Sequence, residues 1–168
     1  MNESYSQEMQ EHLEPIIDTE KEVILIGSDH RGFDLKVLLR EHLIKLNYDV
    51  MDVGTHNSDS CDYPNIANAL CKELLDGSRR GILVCGSGFG MSISANRHKG
   101  IHAVVCRNTK DTEAARQHGD VNVLCIGSDF TSDVESVNIV DTFLNTGYEE
   151  LETSRYSQRI KMIDDEDG

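Results

Sequence analysis

GILVCGSGFGMSISANR, residues Gly81 to Arg97, is the stretch on which the fold turns. It opens with a short apolar run, Ile82-Leu83-Val84-Cys85, of the kind that forms a strand buried on both faces. Three glycines at alternate positions follow, Gly86, Gly88 and Gly90, and Met91 to Asn96 then reads as the opening of a helix. A strand that feeds a glycine-rich turn into a helix is suited to anions. Main-chain N–H groups are unpaired there, the helix dipole favours negative charge, and glycine allows close approach to the backbone. Cys85 and Ser87 sit at the lip of this turn, so the thiol is a candidate nucleophile or base.

Working outward, the chain alternates between two periods. Val23 to Ile26 is a continuous apolar run ended by Gly27, and Phe33 to Leu46 carries Leu35, Leu38, Leu39, Leu43 and Leu46 at helical spacing. Tyr48 to Val53 reads as a second strand. After the polar loop Gly54 to Asp62, Pro64 opens a helix with Ala67, Leu70, Cys71, Leu74 and Leu75 on its apolar face. Further on, His102 to Cys106 is a strand, Asp111 to His118 a helix that Gly119 ends, and Val121 to Ile126 a fifth strand. Helices from Val134 to Leu144 and from about Glu150 to Ile163 complete the chain. Strands of the buried type alternating with helices imply an α/β fold: three layers, α/β/α, on a five-stranded parallel sheet, doubly wound and Rossmann-like. Right-handed crossovers place the loops after the strands on one sheet edge, where such folds bind ligands. Ser28 to Gly32, Asp62-Tyr63-Pro64 and Cys85 to Gly90 all fall on that edge.

With 168 residues the chain suits one domain, expected over residues 22–163. A net charge of −14 argues against a nucleic-acid backbone as partner. Part of that charge is peripheral. Residues 1–21 hold six acids and form an expected acidic, partly disordered arm, while residues 164–168 form an acidic tail. No hydrophobic run is long enough to span a bilayer, so no membrane partner is expected, and the N-terminus does not read as a secretory signal. Five cysteines, an odd number without regular spacing, indicate reduced thiols and a cytoplasmic location.

Gly-Ser-Gly-Phe-Gly is neither the dinucleotide pattern, since Met91 stands where the third glycine belongs, nor a Walker loop. A small phosphate or an enolate-like oxyanion remains, as does a turn that needs glycine only for packing. Asp29-His30 fits an acid/base pair, and Asp29 equally fits a helix cap. Cys71, Cys106 and Cys125 read as core, and the cysteine spacing is not zinc-like, so no metal is expected. His118, near a helix end, fits a surface cation facing the dipole. Arg155 and Arg159, four apart, share a helix face and could grip a phosphate or simply be solvated.

Taken together and in order, these residues resemble the type B ribose-5-phosphate isomerases, in the family that also holds the galactose-6-phosphate isomerase subunits. The matching pieces are Gly27-Ser28-Asp29-His30-Arg31-Gly32-Phe33, Asp62-Tyr63-Pro64, the Gly81–Arg97 stretch, Arg116-Gln117-His118 with Asn122-Val123-Leu124, and the Arg155/Arg159 pair. The resemblance implies cofactor-free and metal-free isomerisation of ribose 5-phosphate to ribulose 5-phosphate, a step of the non-oxidative pentose phosphate pathway. It implies ring opening by His118 with Asp29 close by, and Cys85 as the base that moves a proton between C2 and C1 through a cis-enediolate. Ser87 would shuttle the proton between the oxygens, and N–H groups from Gly86 through Gly88 and Phe89 to Gly90 would hold the enediolate. His30, Arg155 and Arg159 would hold the phosphate, Tyr63 would line the pocket, and Asn96, in the same stretch, would contact substrate. It further implies a homodimer or dimer of dimers with a shared active site. Two departures stand out: Gly119 where the family commonly has asparagine, and Asp129 where it often has arginine after the fifth strand. Met91 occupies the position of the glutamate base of one branch, leaving Cys85 as the candidate. The alternatives are isomerisation of a six-carbon sugar phosphate, allose or galactose 6-phosphate, and a non-catalytic sugar-phosphate-binding module.

Overall fold

The computed structural model describes residues 22–77, 80–149 and 154–166. Five strands alternate with six helices: β1 (Val23–Ser28), α1 (Phe33–Lys45), β2 (Asp49–Asp52), α2 (Tyr63–Leu75), β3 (Arg80–Cys85), α3 (Phe89–Ala95), β4 (Ala103–Val105), α4 (Thr109–Gly119), β5 (Val123–Gly127), α5 (Asp133–Asn145) and α6 (Arg155–Glu166). The sheet is parallel throughout, in the order β2-β1-β3-β5-β4. This is the expected three-layer α/β arrangement.

Side chains alternate across each strand, so one apolar run feeds two cores. Ile24, Ile26, Ile82, Val84, Leu124 and Ile126 face α1 and α5 with Leu39, Leu43, Ile139 and Phe143. Leu25, Leu83, Cys85, Val123 and Cys125 face α2 and α3 with Leu70, Cys71, Met91 and Ala95. Burying a leucine or isoleucine of this kind stabilises by roughly 2–3 kcal/mol. Because α1 leaves β1 toward one face and α3 leaves β3 toward the other, their first turns diverge. The strand order reverses between β1 and β3, and the carboxyl ends of strands at such a point are where folds of this kind bind ligands.

Some expectations change. Not every strand is of the buried type: β2 and β4 lie at the sheet edges, and Met51 and Val104 are exposed. Leu46 and Leu75, expected on apolar faces, fall at helix ends and are about half exposed. Gly119 does not stop α4; Asp120 does, in the left-handed conformation with φ 43°. Asp164 and Asp165 belong to α6 rather than to a tail, and Asp164 Oδ1 lies 2.9 Å from His102 Nε2. The expected arm over residues 1–21 and the expected helix start near Glu150 lie outside the described residues.

Candidate active site

The Cys85 side chain ends β3 on the α2/α3 face, 5 % exposed. Its Sγ accepts a hydrogen bond from the Gly88 N–H at 3.1 Å. Gly88 caps α3 with φ 80°, a left-handed conformation costly for any residue with a Cβ. That conformation folds the amide back onto the sulfur. The Phe89 N–H donates to Ser87 Oγ at 3.3 Å, so two amides of the turn serve its own side chains rather than a ligand. Gly90 makes room for Tyr63: a Cβ there would stand 2.7 Å from the ring. Tyr63, the first residue of α2, thereby roofs the start of α3. Burial pushes the Cys71 and Cys106 thiols up to about 11 and the Cys125 thiol well above its ordinary value. They stay protonated at neutral pH.

The β1 loop forms the opposite wall. Asp29 is 6 % exposed, and its Oδ1 accepts the N–H groups of Arg31 at 2.9 Å and Gly32 at 3.1 Å. It braces the loop; the cap residue of α1 is Gly32, which has no side chain to offer. His30 Nδ1 accepts the Cys61 N–H at 3.3 Å, which leaves Nε2 carrying the proton. Arg31 reaches across the glycine turn to Asp129 after β5, Nη2 to Oδ2 at 2.5 Å. Ser128 Oγ ties the same loops: it lies 3.0 Å from the Arg31 carbonyl oxygen and 3.2 Å from that of Cys85, which share its one hydroxyl proton. Beneath them, the buried Lys36 ammonium bonds both Asp52 oxygens at 2.8 Å and the Thr55 carbonyl, pinning the loop that leads to Tyr63. Arg107 lies between the rings of Phe89 and Phe130, 5.2 and 4.9 Å from their centroids. Sequence reasoning gave no role to Arg31 or Arg107.

Four expected site residues are elsewhere. His118 lies in the last turn of α4, and its ring stacks on Tyr156 of α6 at 4.0 Å and 11°. Arg155 and Arg159 are exposed on α6. Helices that follow parallel strands return to the amino edge of the sheet, so these three lie at the edge opposite Cys85. β5 is five residues long, roughly 17 Å, too far for one small ligand to touch both groups in one chain. Asn96 is at the same far edge. Its Nδ2 donates to the Ala103 carbonyl at 2.7 Å and its Oδ1 accepts the Ala103 N–H at 2.8 Å, so its amide fastens α3 to β4. Between these elements runs an apolar groove of about 840 Å³, lined by Ile101, Val104, Val105, Ala115, His118 and Ile163 among others.

Among the described residues no three His, Cys, Asp or Glu side chains gather as metal ligands. The chain has one His-x-x-x-His spacing, His98 and His102, but they turn to different partners: Asn68 at 2.9 Å and Asp164 at 2.9 Å. No helix among the described residues is long and apolar enough to cross a membrane.

Against known proteins, the sequence pattern of the family described as Ribose/Galactose Isomerase matches residues 24–163. Ribose-5-phosphate isomerase B of Escherichia coli is 40 % identical over 141 residues, covering 83 % of this chain and 93 % of that protein. Among solved structures, ribose-5-phosphate isomerase B of Clostridium thermocellum superposes with a TM-score of 0.83 at 36 % identity, over 86 % of this chain and 97 % of that one. The Mycoplasma genitalium enzyme with bound ribulose 5-phosphate gives a TM-score of 0.82 at 36 % identity, over 86 % and 95 %. A buried thiol under a glycine turn, at the sheet's switch point, thus sits in a chain that belongs to the ribose/galactose isomerase family, with the type B ribose-5-phosphate isomerases.

Proposed function

We propose that the chain interconverts ribose 5-phosphate and ribulose 5-phosphate, with Cys85 as the base. The observation that carries this reading is the Cys85 sulfur held at 3.1 Å by the Gly88 N–H, at the switch point of the sheet. The thiolate removes the C2 proton of the open-chain aldose, and the electron pair becomes the C1=C2 bond of a cis-enediolate. Ser87 passes the O2 proton to O1. Cys85 then returns its proton to C1 as the C2 carbonyl forms. Main-chain N–H groups of the turn not spent on Cys85 and Ser87 face the enediolate oxygens; such a donor is typically worth about 3 kcal/mol in the transition state. His30 Nε2 faces the phosphate, and Tyr63 closes the pocket. All of this runs on side chains and backbone, without a metal.

His118, Arg155 and Arg159 enter from a second copy of the chain. Their place at the far edge supports this reading: they serve a site only if a partner presents its far edge to this chain's Cys85 edge. The apolar groove beside His118 is the surface such a partner would cover. His118 then opens the sugar ring, with Asp29 close by, and the arginines grip the phosphate.

A purified sample assayed with ribose 5-phosphate in EDTA tests the reading. Turnover is expected to persist in chelator, and Cys85→Ala is expected to abolish it while ribose 5-phosphate still binds. An active Cys85→Ala variant refutes the base. Loss of activity in EDTA refutes the metal-free route. A higher kcat/KM for allose or galactose 6-phosphate would reassign the sugar, and tight binding without turnover would make the chain a binding module.

A further inference from the structure

Arg31 and Asp129 form an ion pair in an unusual place. The pair bridges the loops after β1 and β5 directly over the glycine turn: a Cβ on Gly86 would stand 2.5 Å from Arg31 Nε and 2.8 Å from Asp129 Oδ2. Both side chains are open to solvent, 57 and 43 % exposed. An exposed pair of this kind adds little to stability, so stability alone gives little reason for it to lie across the site. Arg31 is anchored at both ends, its N–H to Asp29, its carbonyl to Ser128 and its Nη2 to Asp129. Asp129 also keeps the guanidinium firmly protonated.

A guanidinium carries five N–H donors in a planar fork, and Asp129 occupies one of them here. The remaining edge is free for a planar or tetrahedral oxyanion, the partner this fork fits best. The preceding residue is His30, whose Nδ1 is taken by the Cys61 N–H and whose Nε2 is left for another partner. Lys36, the other cation beneath this wall, is buried and spent on Asp52 and Thr55. In a chain of net charge −14, a dianionic ligand needs a fixed cation where it docks. The reacting thiol already has its donor in Gly88, which leaves Arg31 for the ligand's own charge.

We propose that Arg31 binds the phosphate of the sugar-phosphate substrate at the rim of the Gly86 turn, and that Asp129 is the positioning residue that holds its guanidinium there. The proposal rests on the isomerase reading above. It adds a fixed positive charge beside His30 on the same chain as Cys85, so part of the substrate's charge is held before any partner contributes.

The test is steady-state kinetics with ribose 5-phosphate, together with inhibition by inorganic phosphate, on the full chain and on Arg31→Ala, Arg31→Lys, Asp129→Asn and the Arg31→Ala/Asp129→Asn double variant. Arg31→Ala is expected to raise both KM and the inorganic phosphate Ki about tenfold, the worth of one charge-assisted hydrogen bond, with kcat within about threefold. Arg31→Lys should recover part of the loss. Asp129→Asn should raise KM when Arg31 is present and change nothing when it is absent. Unchanged KM and Ki in Arg31→Ala would overturn the proposal, as would a fall in kcat at constant KM, which would place Arg31 at the reacting carbons. A lower KM in Asp129→Asn would overturn the positioning role. Calorimetric titration of inorganic phosphate into the unmodified chain and Arg31→Ala reads the site without turnover. An inactive chain whose phosphate binding still depends on Arg31 would therefore refute the isomerase reading and leave the anion site standing.

Discussion

At the scale of single residues, the candidate site depends on how closely three loops are stacked. Gly127 closes β5 against the glycine turn, and a Cβ there would stand 2.6 Å from the Ser87 carbonyl oxygen and 2.7 Å from its carbon. Those atoms are backbone and cannot swing aside. Gly127→Ala should therefore push the Ser87 peptide away from Cys85, cutting kcat at least tenfold and costing roughly 1–3 kcal/mol of stability. Gly147 has nothing within 4 Å of its added Cβ, so Gly147→Ala is the matched control with near-normal kinetics. Urea unfolding and turnover on both variants check this. Equal behaviour of the two would mean that the turn tolerates displacement.

At the scale of elements, Asn96 separates what the sequence could convey from what it could not. Its stretch is legible as strand, glycine turn and helix, because an apolar run and spaced glycines are local signals. Its amide is not legible: whether it faces ligand or backbone depends on where β4 returns, and that is settled by packing. Both amide atoms bond Ala103, so Asn96→Ala should lower stability by about 1–3 kcal/mol while leaving KM for ribose 5-phosphate unchanged. A raised KM at normal stability would restore a substrate contact. The same distinction runs through the rest of the chain. Cys71, Cys106 and Cys125 were readable as core from their apolar neighbours, and burial bears this out. Leu46 and Leu75 kept the helical period but fell at helix ends, where the core no longer reaches. Asp129 stood out as a departure, yet its partner Arg31, 98 residues away in sequence, had no local signature. Helix ends also drifted, since a left-handed Asp120 did the work expected of Gly119.

At the scale of the whole molecule, the two groups of proposed site residues occupy opposite sheet edges, and this makes the shared site testable by mixing. Cys85→Ala spoils one edge and Arg159→Ala the other, so each variant alone should be inactive or badly impaired. Co-refolded in equal amounts, half of the dimers would be mixed and each would keep one intact site. Activity should return to roughly a quarter of the unmutated level. No recovery beyond the sum of the two variants would rule out sites shared between copies.

The short sheet edges carry one more consequence. β4, at one margin, has three residues, and β2, at the other, has an aspartate at both ends. Neither offers a long row of free backbone groups, and short or charged margins are how sheets avoid being extended by another chain. On the shared-site proposal, two copies would then meet through side chains after each has closed its own two cores. Folding would come first and assembly second, so a newly made chain would be a finished but catalytically incomplete object until it met its twin. The abundance of the protein in its surroundings, as much as its sequence, would decide when the chemistry switches on.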